Sequence, residues 1–434
     1  MFLSIRVAFL ASLHTALTLA SPHDITQYGA VAGVDTAAAA RINGVAFASA
    51  VRAANASAPA SRTVLVPAGD FAFLPSVPDL PGLTDVEIQI EGQFSLFSAN
   101  LSGYPGWPNS LYVPLKFSSA TNVVLSSPSG RGVVNGRGTP WWWHAILVFD
   151  SRPNLLEMDG SGVTLRGVTF LNSPAWHVWL APIADAVITN CTVRVDIEDQ
   201  LDALRYIGGG QPRASFTSSR DDVVAVLRAA HQIGPSNDEE VAALMAAPRL
   251  DDGASAVLRE ARRAAIPAVV RSQPWFDPAW AITPPIPMIW ALNTDGFDFA
   301  GVNVTVSNVS VTNFDDSVCV KPSSGSAEMG GCTHDVHVSD VSVTYGVGVS
   351  MGSVPPDSDG NCIDNVTLQR LDFDTPLKAM YVKPNPKKGP GNYGAITNII
   401  YEDVVVRDAL WWSICASAAG ERPHHCGHAR ALTL

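Results

Sequence analysis

Val304–Val311 reads VTVSNVSV, in which apolar and polar residues alternate on either side of a two-residue interruption. Alternation with a period of two is typical of short strands that bury one face. The interruption predicts a sharp bend between two strands, because asparagine tolerates the left-handed backbone that such a bend can require. The stretch therefore predicts two strands that meet at Asn308.

The same pattern, apolar-x-apolar-x-x-apolar-x-apolar, occurs six times in the chain. Successive copies start 23, 118, 32, 30 and 33 residues apart. Apart from the interval of 118, these periods suit one coil of a solenoid each. A single coil cannot bury its apolar side, whereas a stack of coils encloses one continuous core. We therefore predict an all-β fold, a parallel β-helix. An antiparallel β-sandwich is the competing fold, and it accounts less well for the fixed bend and the near-constant period. The other copies begin at Val163, Ala186, Val336, Val366 and Ile399.

The second bend residue of each copy follows a rule of its own. Five of the six are glycine, asparagine or aspartate, which adopt left-handed backbone more readily than other residues. The exception is an arginine, Arg370. These five residues tolerate the left-handed backbone that such a bend can require. The six bend residues are Gly167, Asn190, Asn308, Asp340, Arg370 and Asp403.

The interval of 118 residues holds far more chain than one coil needs, and helical patterns such as DDVVAVLRAAHQI fill it. Two interpretations stay open: an inserted helical or disordered segment, and a translated intron in a faulty gene model. The C-terminal tail loses the strand pattern, which predicts a truncated end of the β-helix. The predicted divisions are a signal peptide (1–20), an N-terminal part of the β-helix (21–197), the insertion (198–285), a C-terminal part that carries the site (286–414) and an atypical tail (415–434).

The first residues predict export from the cell. Arg6 precedes an apolar run from Val7 that ends in small residues near Ala20, as in a cleaved signal peptide. In an oxidising compartment some of the six cysteines should pair, and Cys332–Cys362 is the first pair we expect. Six triplets fit the N-glycosylation pattern, which agrees with a secreted glycoprotein. Their asparagines are Asn55, Asn100, Asn190, Asn303, Asn308 and Asn365.

Three aspartates are expected to lie close together on successive coils. Asp315 and Val347 each follow the start of a repeat by eleven residues, so we expect them to stack at the spacing of adjacent strands, roughly 4.8 Å. Asp295 ends the preceding coil, and Asp316 is the neighbour of Asp315. Carboxylates this close raise one another's proton affinity, so one of them can stay protonated as a general acid.

Six segments, in this order and spacing, resemble glycoside hydrolase family 28, the polygalacturonases. The resemblance covers about 24–197 and 288–414, and its most specific element is NTD followed twenty residues later by DD within a β-helix repeat. It implies a right-handed parallel β-helix. The segments are FLNSPAWHVWL, ALNTDGFDFAG, TNFDDSVCVKP, YGVGVSMGSV, KAMYVKPNP and YEDVVVRDALWWSI.

The resemblance implies an inverting hydrolase of pectic polysaccharide with a role for each aspartate. Asp315 would protonate the glycosidic oxygen, and Asp295 and Asp316 would hold and deprotonate the attacking water. Lys383 would bind a carboxylate of the substrate. Substrate binding is also expected of Tyr381, Asn293 and Val347. No cofactor and no metal are implied.

Two positions depart from the family's pattern. Val347 stands where the family's G-H-G motif has histidine, and Tyr381 stands where its R-I-K motif has arginine. Two other functions remain open. One is a pectate lyase, which needs calcium and an arginine base; the sequence places no arginine at the aspartates. The other is a non-catalytic β-helix that binds wall polysaccharide.

The charge of the chain narrows the partners. A net charge of −12 argues against nucleic acid and against an anionic membrane. An acidic polysaccharide then needs local positive charge, and five of the six lysines fall between Lys321 and Lys388. We expect pectic polysaccharide as the partner, no nucleic acid, no membrane after signal cleavage, an extracellular location and a monomer.

Overall fold

The computed structural model describes residues 21–107, 109–142, 152–196, 293–323, 332–354, 361–384, 394–409, 412–416, 426–427 and 431–433. The signal peptide and the segment 198–285 therefore lie outside the described residues. Within these ranges there is one α-helix, α1 (Ala37–Ala56), and there are short 3-10 helices at Ile25–Tyr28, Pro59–Ser61 and Leu101–Gly103. No helix of the described part is long and apolar enough to cross a membrane.

The described strands form one sheet that winds through the whole molecule. They are β1 (His23–Asp24), β2 (Thr63–Val66), β3 (Asp70–Phe73), β4 (Glu87–Ile90), β5 (Gln93–Leu96), β6 (Leu115–Thr121), β7 (Val124–Ser126), β8 (Val133–Asn135), β9 (Leu156–Ser161), β10 (Thr164–Arg166), β11 (Thr169–Leu171), β12 (Val178–Thr189), β13 (Thr192–Arg194), β14 (Phe297–Thr312), β15 (Asp316–Val320), β16 (Thr333–Thr344), β17 (Val347–Val354), β18 (Cys362–Asp374), β19 (Lys378–Pro384), β20 (Ala395–Arg407), β21 (Trp412–Ala416), β22 (Cys426–Gly427) and β23 (Ala431–Thr433).

Three parallel ladders run along the stack. The first ladder contains β2, β4, β7 and β10, and the second contains β5, β8, β11 and β13. The first ladder passes through the end of β12, and both ladders then continue through β14, β16, β18 and β20, whose bends join the two ladders. The third ladder contains β6, β9, β12, the start of β14, and then β15, β17, β19 and β21. The predicted all-β, right-handed parallel β-helix is confirmed.

The core is the column of side chains that point into the coils. Val306, Val338 and Leu368 occupy the same register position on consecutive coils, and all three are fully buried. Full burial of such a side chain stabilises the folded state by about 1.5–3 kcal/mol. The alternation that defines the repeat is therefore the alternation between this core and the surface.

All six predicted bends adopt left-handed backbone, with φ from 51° at Asn308 to 69° at Gly167. Polar side chains stack from coil to coil along this corner: the Asn308 amide donates a hydrogen bond to Oδ1 of Asn190 at 2.5 Å. Arg370, the exception in residue type, forms an ion pair with Asp340 on the adjacent coil at 2.7 Å. Arginine at this corner thus contacts the adjacent coil, as Asn308 does with a shorter side chain.

Four of the six glycosylation triplets lie at corners of the coil. Asn190 and Asn308 are bends of the repeat, and Asn303 and Asn365 lie at a second left-handed corner. Three of the four side-chain amides donate to the coil before: Asn303 to Asp185, Asn308 to Asn190 and Asn365 to Asp335. A glycan on these nitrogens would compete with the stacking contact, so the coil geometry alone accounts for asparagine there.

The bend at Asp403 offers a test of the corner. A β-branched residue is strained at its φ of 54°, so Asp403→Val should lower the free energy of unfolding by about 1–2 kcal/mol. Asp403→Gly is the matched control, because glycine adopts this backbone without strain. Urea unfolding of the three proteins measures the difference. Equal stability of the valine and glycine variants would contradict a strained corner.

The strand register continues across the segment 198–285. Val187 in β12 pairs with Thr305 in β14, and Thr192 in β13 pairs with Ser310. The coils on either side of the segment therefore stack directly, as the other coils do.

Deletion of residues 200–283 should leave the β-helix intact, because the strands on both sides already pair with each other. We expect the deletion variant to be exported like the full chain and to melt at no lower temperature, as measured by circular dichroism. A variant that fails to fold would show that the segment belongs to the core.

The C-terminal tail differs from the prediction. Although its sequence lacks the repeat pattern, β22 pairs antiparallel with β21, and β23 pairs antiparallel with β20. Strands of two or three residues are too short to show an alternating pattern, so periodicity could not find them. They cover part of the sheet edge at the last coil, where unpaired backbone groups would otherwise be exposed.

The predicted disulfide between Cys332 and Cys362 is present. It ties the start of β16 to the start of β18 on the next coil. Among the described cysteines, Cys191 and Cys319 are free and buried.

Candidate active site

The third ladder presents a row of side chains on the side away from the core. Trp179, Asp298, Cys319, Ser350 and Tyr381 occupy equivalent register positions on consecutive coils. Their neighbours in sequence, such as Phe297 and Phe299, are fully buried toward the interior. The three predicted aspartates lie at the beginning of this ladder, where each coil turns into its strand.

Asp295, Asp315 and Asp316 are brought together, with one carboxylate oxygen of each within 4.8 Å of those of the others. Phe297 pairs with Val318, so Asp295 and Asp316, two residues earlier on each coil, lie side by side. Asp315 is the most accessible of the three, since Asp295 and Asp316 are each only 3% exposed. The cluster thus has one member directed toward solvent and two members behind it.

The expected stacking of Asp315 on Val347 is wrong by one residue. Val347 is the register partner of Asp316, and its N–H donates to the carbonyl of Asp315 at 2.7 Å. The reason is the length of the corner. Three residues join β14 to β15, but only two join β16 to β17. Counting from the start of the repeat assumes corners of equal length.

Asp316 is surrounded by donors. Its Oδ2 is bonded by the Lys383 ammonium and lies 3.3 Å from Nζ of Lys321, while its Oδ1 accepts from the Ser350 hydroxyl at 2.8 Å. Burial alone would raise the pKa of Asp316, but the two ammonium groups and these hydrogen bonds lower it well below its usual range. Asp316 is therefore the member of the cluster that is ionised in the free protein.

Asp315 is held by backbone donors. The N–H of Asn293 donates to its Oδ2 at 2.7 Å, and the N–H of Asp316 donates to its Oδ1 at 2.9 Å. These bonds fix the orientation of the carboxyl group. Burial and the adjacent Asp316 charge outweigh them and raise the pKa of Asp315 above its usual value.

Asp295 has the least support for a negative charge. Among the described residues, its Oδ1 has no hydrogen-bond partner. Burial, followed by the charges of Asp315, Asp298 and Asp316, raises its pKa well above the usual value. Two carboxyls of the cluster therefore favour a proton, and the third does not.

Sequence reasoning missed Arg152, which lies at the cluster although no arginine was expected there. Its guanidinium donates to the carbonyl of Pro174 at 3.0 Å and to Oδ1 of Asn293 at 3.2 Å. Burial lowers its pKa to about 10, and the charges of Asp315 and Asp295 act in the opposite direction. Only the coiling of the chain brings it beside Asn293, across 141 positions of sequence.

His177 was also missed as a site residue, although it lies in one of the quoted segments. Its Nε2 accepts from the N–H of Ser173 at 3.2 Å, so its Nδ1 is the nitrogen that donates to the carbonyl of Asp295, at 2.9 Å. Burial lowers its pKa to about 4, which keeps the ring neutral. His177 therefore holds the backbone that carries Asp295.

The four predicted substrate-binding residues lie around the cluster in different ways. Lys383 and Asn293 bond to Asp316 and Asp315, as described above. Val347 is the register neighbour of Asp316. Tyr381 contacts no aspartate in the described set, but its ring lies 3.9 Å from Nζ of Lys378 and 5.4 Å from Nζ of Lys383.

The glycines on both sides of Val347 have a packing reason. A Cβ on Gly346 would lie 2.0 Å from Oγ of Ser317, and a Cβ on Gly348 would lie 1.4 Å from the carbonyl of Ala379. Neither position has room for a side chain. The Gly-x-Gly pattern is therefore set by coil packing, and only the middle residue is free to vary with function.

Comparison with known proteins places this site in a family. Residues 285–428 match the model described as Glycosyl hydrolases family 28. A protein of Neosartorya fischeri, named probable endo-xylogalacturonan hydrolase A, is 24% identical over 384 residues, which are 87% of this chain and 68% of that protein. The part of the chain that carries the three aspartates therefore resembles glycoside hydrolase family 28. Exopolygalacturonase A of Aspergillus niger is 32% identical over 145 residues, 31% of this chain and 32% of that protein.

The fold of this chain is similar to that of a solved structure. The crystal structure of endo-xylogalacturonan hydrolase from Aspergillus tubingensis aligns with a TM-score of 0.58 at 20% identity. The alignment covers 92% of this chain and 78% of that one.

The charges of the site balance if one proton is retained. Four buried or half-buried carboxyl groups face three cationic groups, so one carboxyl must be protonated for neutrality. An uncompensated charge in such a site is strongly unfavourable. The carboxyl groups are Asp295, Asp298, Asp315 and Asp316, and the cationic groups are Arg152, Lys321 and Lys383.

The same balance bears on metal binding. Three carboxylate oxygens within 4.8 Å are a donor set that a divalent cation can use. However, two lysine ammonium groups already contact Asp316, and a cation there would face their repulsion. The charge arrangement favours proton chemistry over metal binding.

Proposed function

We propose that this chain hydrolyses α-1,4-galacturonan or a related pectic polysaccharide by an inverting mechanism, with exo action. The observation that carries the proposal is the cluster of three aspartates in which one is held as an anion and two favour a proton. General acid–base hydrolysis needs this division between a carboxylic acid and a carboxylate. The names of the relatives support a galacturonan substrate.

Asp315 is assigned as the general acid, because it is the most accessible of the three and its pKa is raised. Asp316 is assigned to remove the proton from the attacking water, because it is the member of the cluster that is held ionised and can therefore accept a proton. Asp295 was expected to share that removal. Its raised pKa leaves it the task of holding the water instead. The site residues and these roles form one proposal.

The substrate's carboxylates are assigned to the lysines beside the cluster. Nζ of Lys378 and Nζ of Lys383 lie 3.9 Å and 5.4 Å from the centre of the Tyr381 ring, so the three side chains place positive charge and an aromatic ring beside the aspartates. An ammonium group can pair with a uronic acid carboxylate, and the ring can support a sugar face. This local positive charge offsets the net charge of −12.

Lys383→Ala should raise KM for polygalacturonate and also lower kcat. The first effect follows from the lost pairing with the substrate. The second follows from the bond to Asp316, whose pKa rises when the ammonium is removed. Steady-state kinetics across a pH series separates the two effects. Unchanged KM and kcat would show that the substrate lies elsewhere.

A pectate lyase is a second candidate, since Arg152 lies beside a carboxylate cluster and its pKa is lowered to about 10. An arginine base must reach the substrate in its neutral form, whereas this guanidinium donates to Pro174 and Asn293. The two enzymes differ in product and in metal dependence. A lyase gives an unsaturated product that absorbs ultraviolet light, and a calcium chelator stops its formation. The hydrolase gives saturated products with new reducing ends, and the chelator does not change its rate.

A non-catalytic polysaccharide-binding β-helix is tested by the same assay. Binding of polygalacturonate without new reducing ends would identify that function. Hydrolysis requires that reducing ends appear with time and with enzyme concentration.

We further propose that the protein is exported, with a signal peptide cleaved near Ala20, and that it acts outside the cell as a glycosylated monomer. We also propose that the mature chain consists of two parts of the β-helix, the insertion between them and the C-terminal tail, at residues 21–197, 286–414, 198–285 and 415–434. Sequencing the N-terminus of the protein from culture medium tests the cleavage.

A further inference from the structure

Lys321 lies at the end of β15, and its ammonium group stands among carboxylates. Its Nζ is 3.0 Å from Oδ2 of Asp298, 3.3 Å from Oδ2 of Asp316 and 3.9 Å from Oδ2 of Asp295. It also lies 5.7 Å from the centre of the Trp176 ring. Three carboxylate oxygens thus lie within 3.9 Å of this ammonium group, and they leave little of its hydrogen-bonding capacity for a substrate.

Asp298 is the partner that anchors this lysine. It is fully buried, and among the described residues its Oδ1 has no hydrogen-bond partner while its Oδ2 faces the Lys321 ammonium group at 3.0 Å. The ion pair with Lys321 is therefore its main compensation. Asp298 lies on β14, one coil before Asp316, so the ammonium group bridges two coils.

The groups around Lys321 come from three strands and the corner before β14. The aspartates compete for its charge, and Lys383 repels it while sharing Oδ2 of Asp316. The titratable and charged groups are Asp295 before β14, Asp298 on β14, Asp316 and Cys319 on β15, and Lys383 on β19.

We propose that Lys321, anchored by Asp298, is a positioning residue that holds Asp316 as the anion of the site and leaves the site's proton to the other aspartates. The inference rests on the proposed function. Lys321 acts through Asp316 and touches no reacting atom. Lys383 supplies the second ammonium group on the same oxygen, but it also lies beside the Tyr381 ring that is assigned to substrate binding, whereas the contacts of Lys321 are to the aspartates and Trp176.

Opposite shifts of the pH–rate profile are expected from the two partners. Removal of the ammonium in Lys321→Met makes each nearby carboxyl easier to protonate. Both limbs of the kcat/KM profile should therefore move to higher pH, by about one unit. Asp298→Asn removes a negative charge, so both limbs should move to lower pH. A residue that only maintains the fold would not give shifts of opposite sign.

The kinetic experiment uses the full chain and polygalacturonate. Lys321→Met should lower kcat at least about tenfold at the wild-type optimum and change KM less than about twofold. Lys321→Arg should restore the position of the profile. Lys116→Met is the matched control, because Lys116 pairs with Glu157 on the same ladder, away from the aspartates, and its loss should change nothing. A raised KM with unchanged limbs would overturn the inference in favour of substrate binding.

A second measurement does not depend on activity. The wild type should be more stable to urea than Lys321→Met at pH 6, and this difference should narrow at pH 3. The sign follows from the low pKa of Asp316, whose contribution is present above the unfolded value and is lost as pH falls through the folded value. If Lys321→Met fails to fold, the double variant Asp298→Asn with Lys321→Met removes both buried charges and takes its place.

The outcomes separate the two proposals. A pH-dependent stability difference without any hydrolysis supports the role of Lys321 and rejects the proposed function. Hydrolysis with a stability difference that is the same at both pH values supports the function and rejects the role of Lys321.

Discussion

Asp315→Asn should fold as the wild type does and lose at least about a hundredfold in kcat on polygalacturonate. Asparagine keeps the shape of the side chain but cannot donate a proton to a leaving alkoxide. General acid groups contribute about 10²–10⁴-fold to the rate. Its side-chain oxygen can still accept from the N–H of Asn293 or of Asp316. Substrate binding should therefore persist, and reducing-end kinetics measures the loss.

Asp185→Asn is the matched control for this substitution. Asp185 accepts a hydrogen bond from Asn303 at a corner of the coil. At another corner an asparagine, Asn190, accepts the equivalent bond from Asn308, so asparagine can replace Asp185 in this role. The control should keep full activity. Wild-type kcat in Asp315→Asn would remove Asp315 from the mechanism.

Asp316→Asn should lose both activity and stability, in contrast to Asp315→Asn. The substitution removes the carboxylate that is assigned to activate water, at a cost of about 10²–10⁴-fold in kcat. It also leaves two ammonium groups, Lys321 and Lys383, without their shared oxygen anion. Removing one partner of a buried ion pair costs about 3–5 kcal/mol of stability.

The loss of stability should depend on pH. The folded-state pKa of Asp316 is lowered, so its contribution to stability is present above the unfolded value of about 3.9 and disappears on acidification. Urea unfolding at pH 6 and pH 3 should therefore show a smaller difference from the wild type at pH 3. A difference that stays constant would place the effect in packing instead of charge.

The repeat made the fold predictable because each coil obeys the same local rule. Val304–Val311 contains the alternation, the bend and the apolar face, and the other copies need only stack upon it. Left-handed backbone was predictable at the glycine, asparagine and aspartate bends for the same reason, whereas the residue type gave no indication of it at Arg370. The short strand at Cys426–Gly427 was not, because two residues carry no periodic signal.

The site was predictable where it follows the repeat and the family resemblance, and less so where corners vary. The aspartates were placed on neighbouring coils from their spacing. The alignment of Val347 failed by one residue, since the corner before β17 is shorter. Arg152 and the partners of Lys321 depend on which side chains meet across coils, and no local pattern encodes that.

The most direct test of inverting hydrolysis is proton NMR of the first products that the wild-type protein releases from polygalacturonate. Inversion predicts that new reducing ends appear in the β configuration and only later equilibrate by mutarotation. One carboxylate oxygen of each aspartate lies within 4.8 Å of those of the others, closer than the roughly 6.5–9.5 Å between carboxyl groups that is usual for inverting enzymes. The spacing alone therefore would not predict inversion, and the anomer has to be measured. We expect the β anomer in the first products. Initial α anomer, an unsaturated product or no new reducing ends would contradict it.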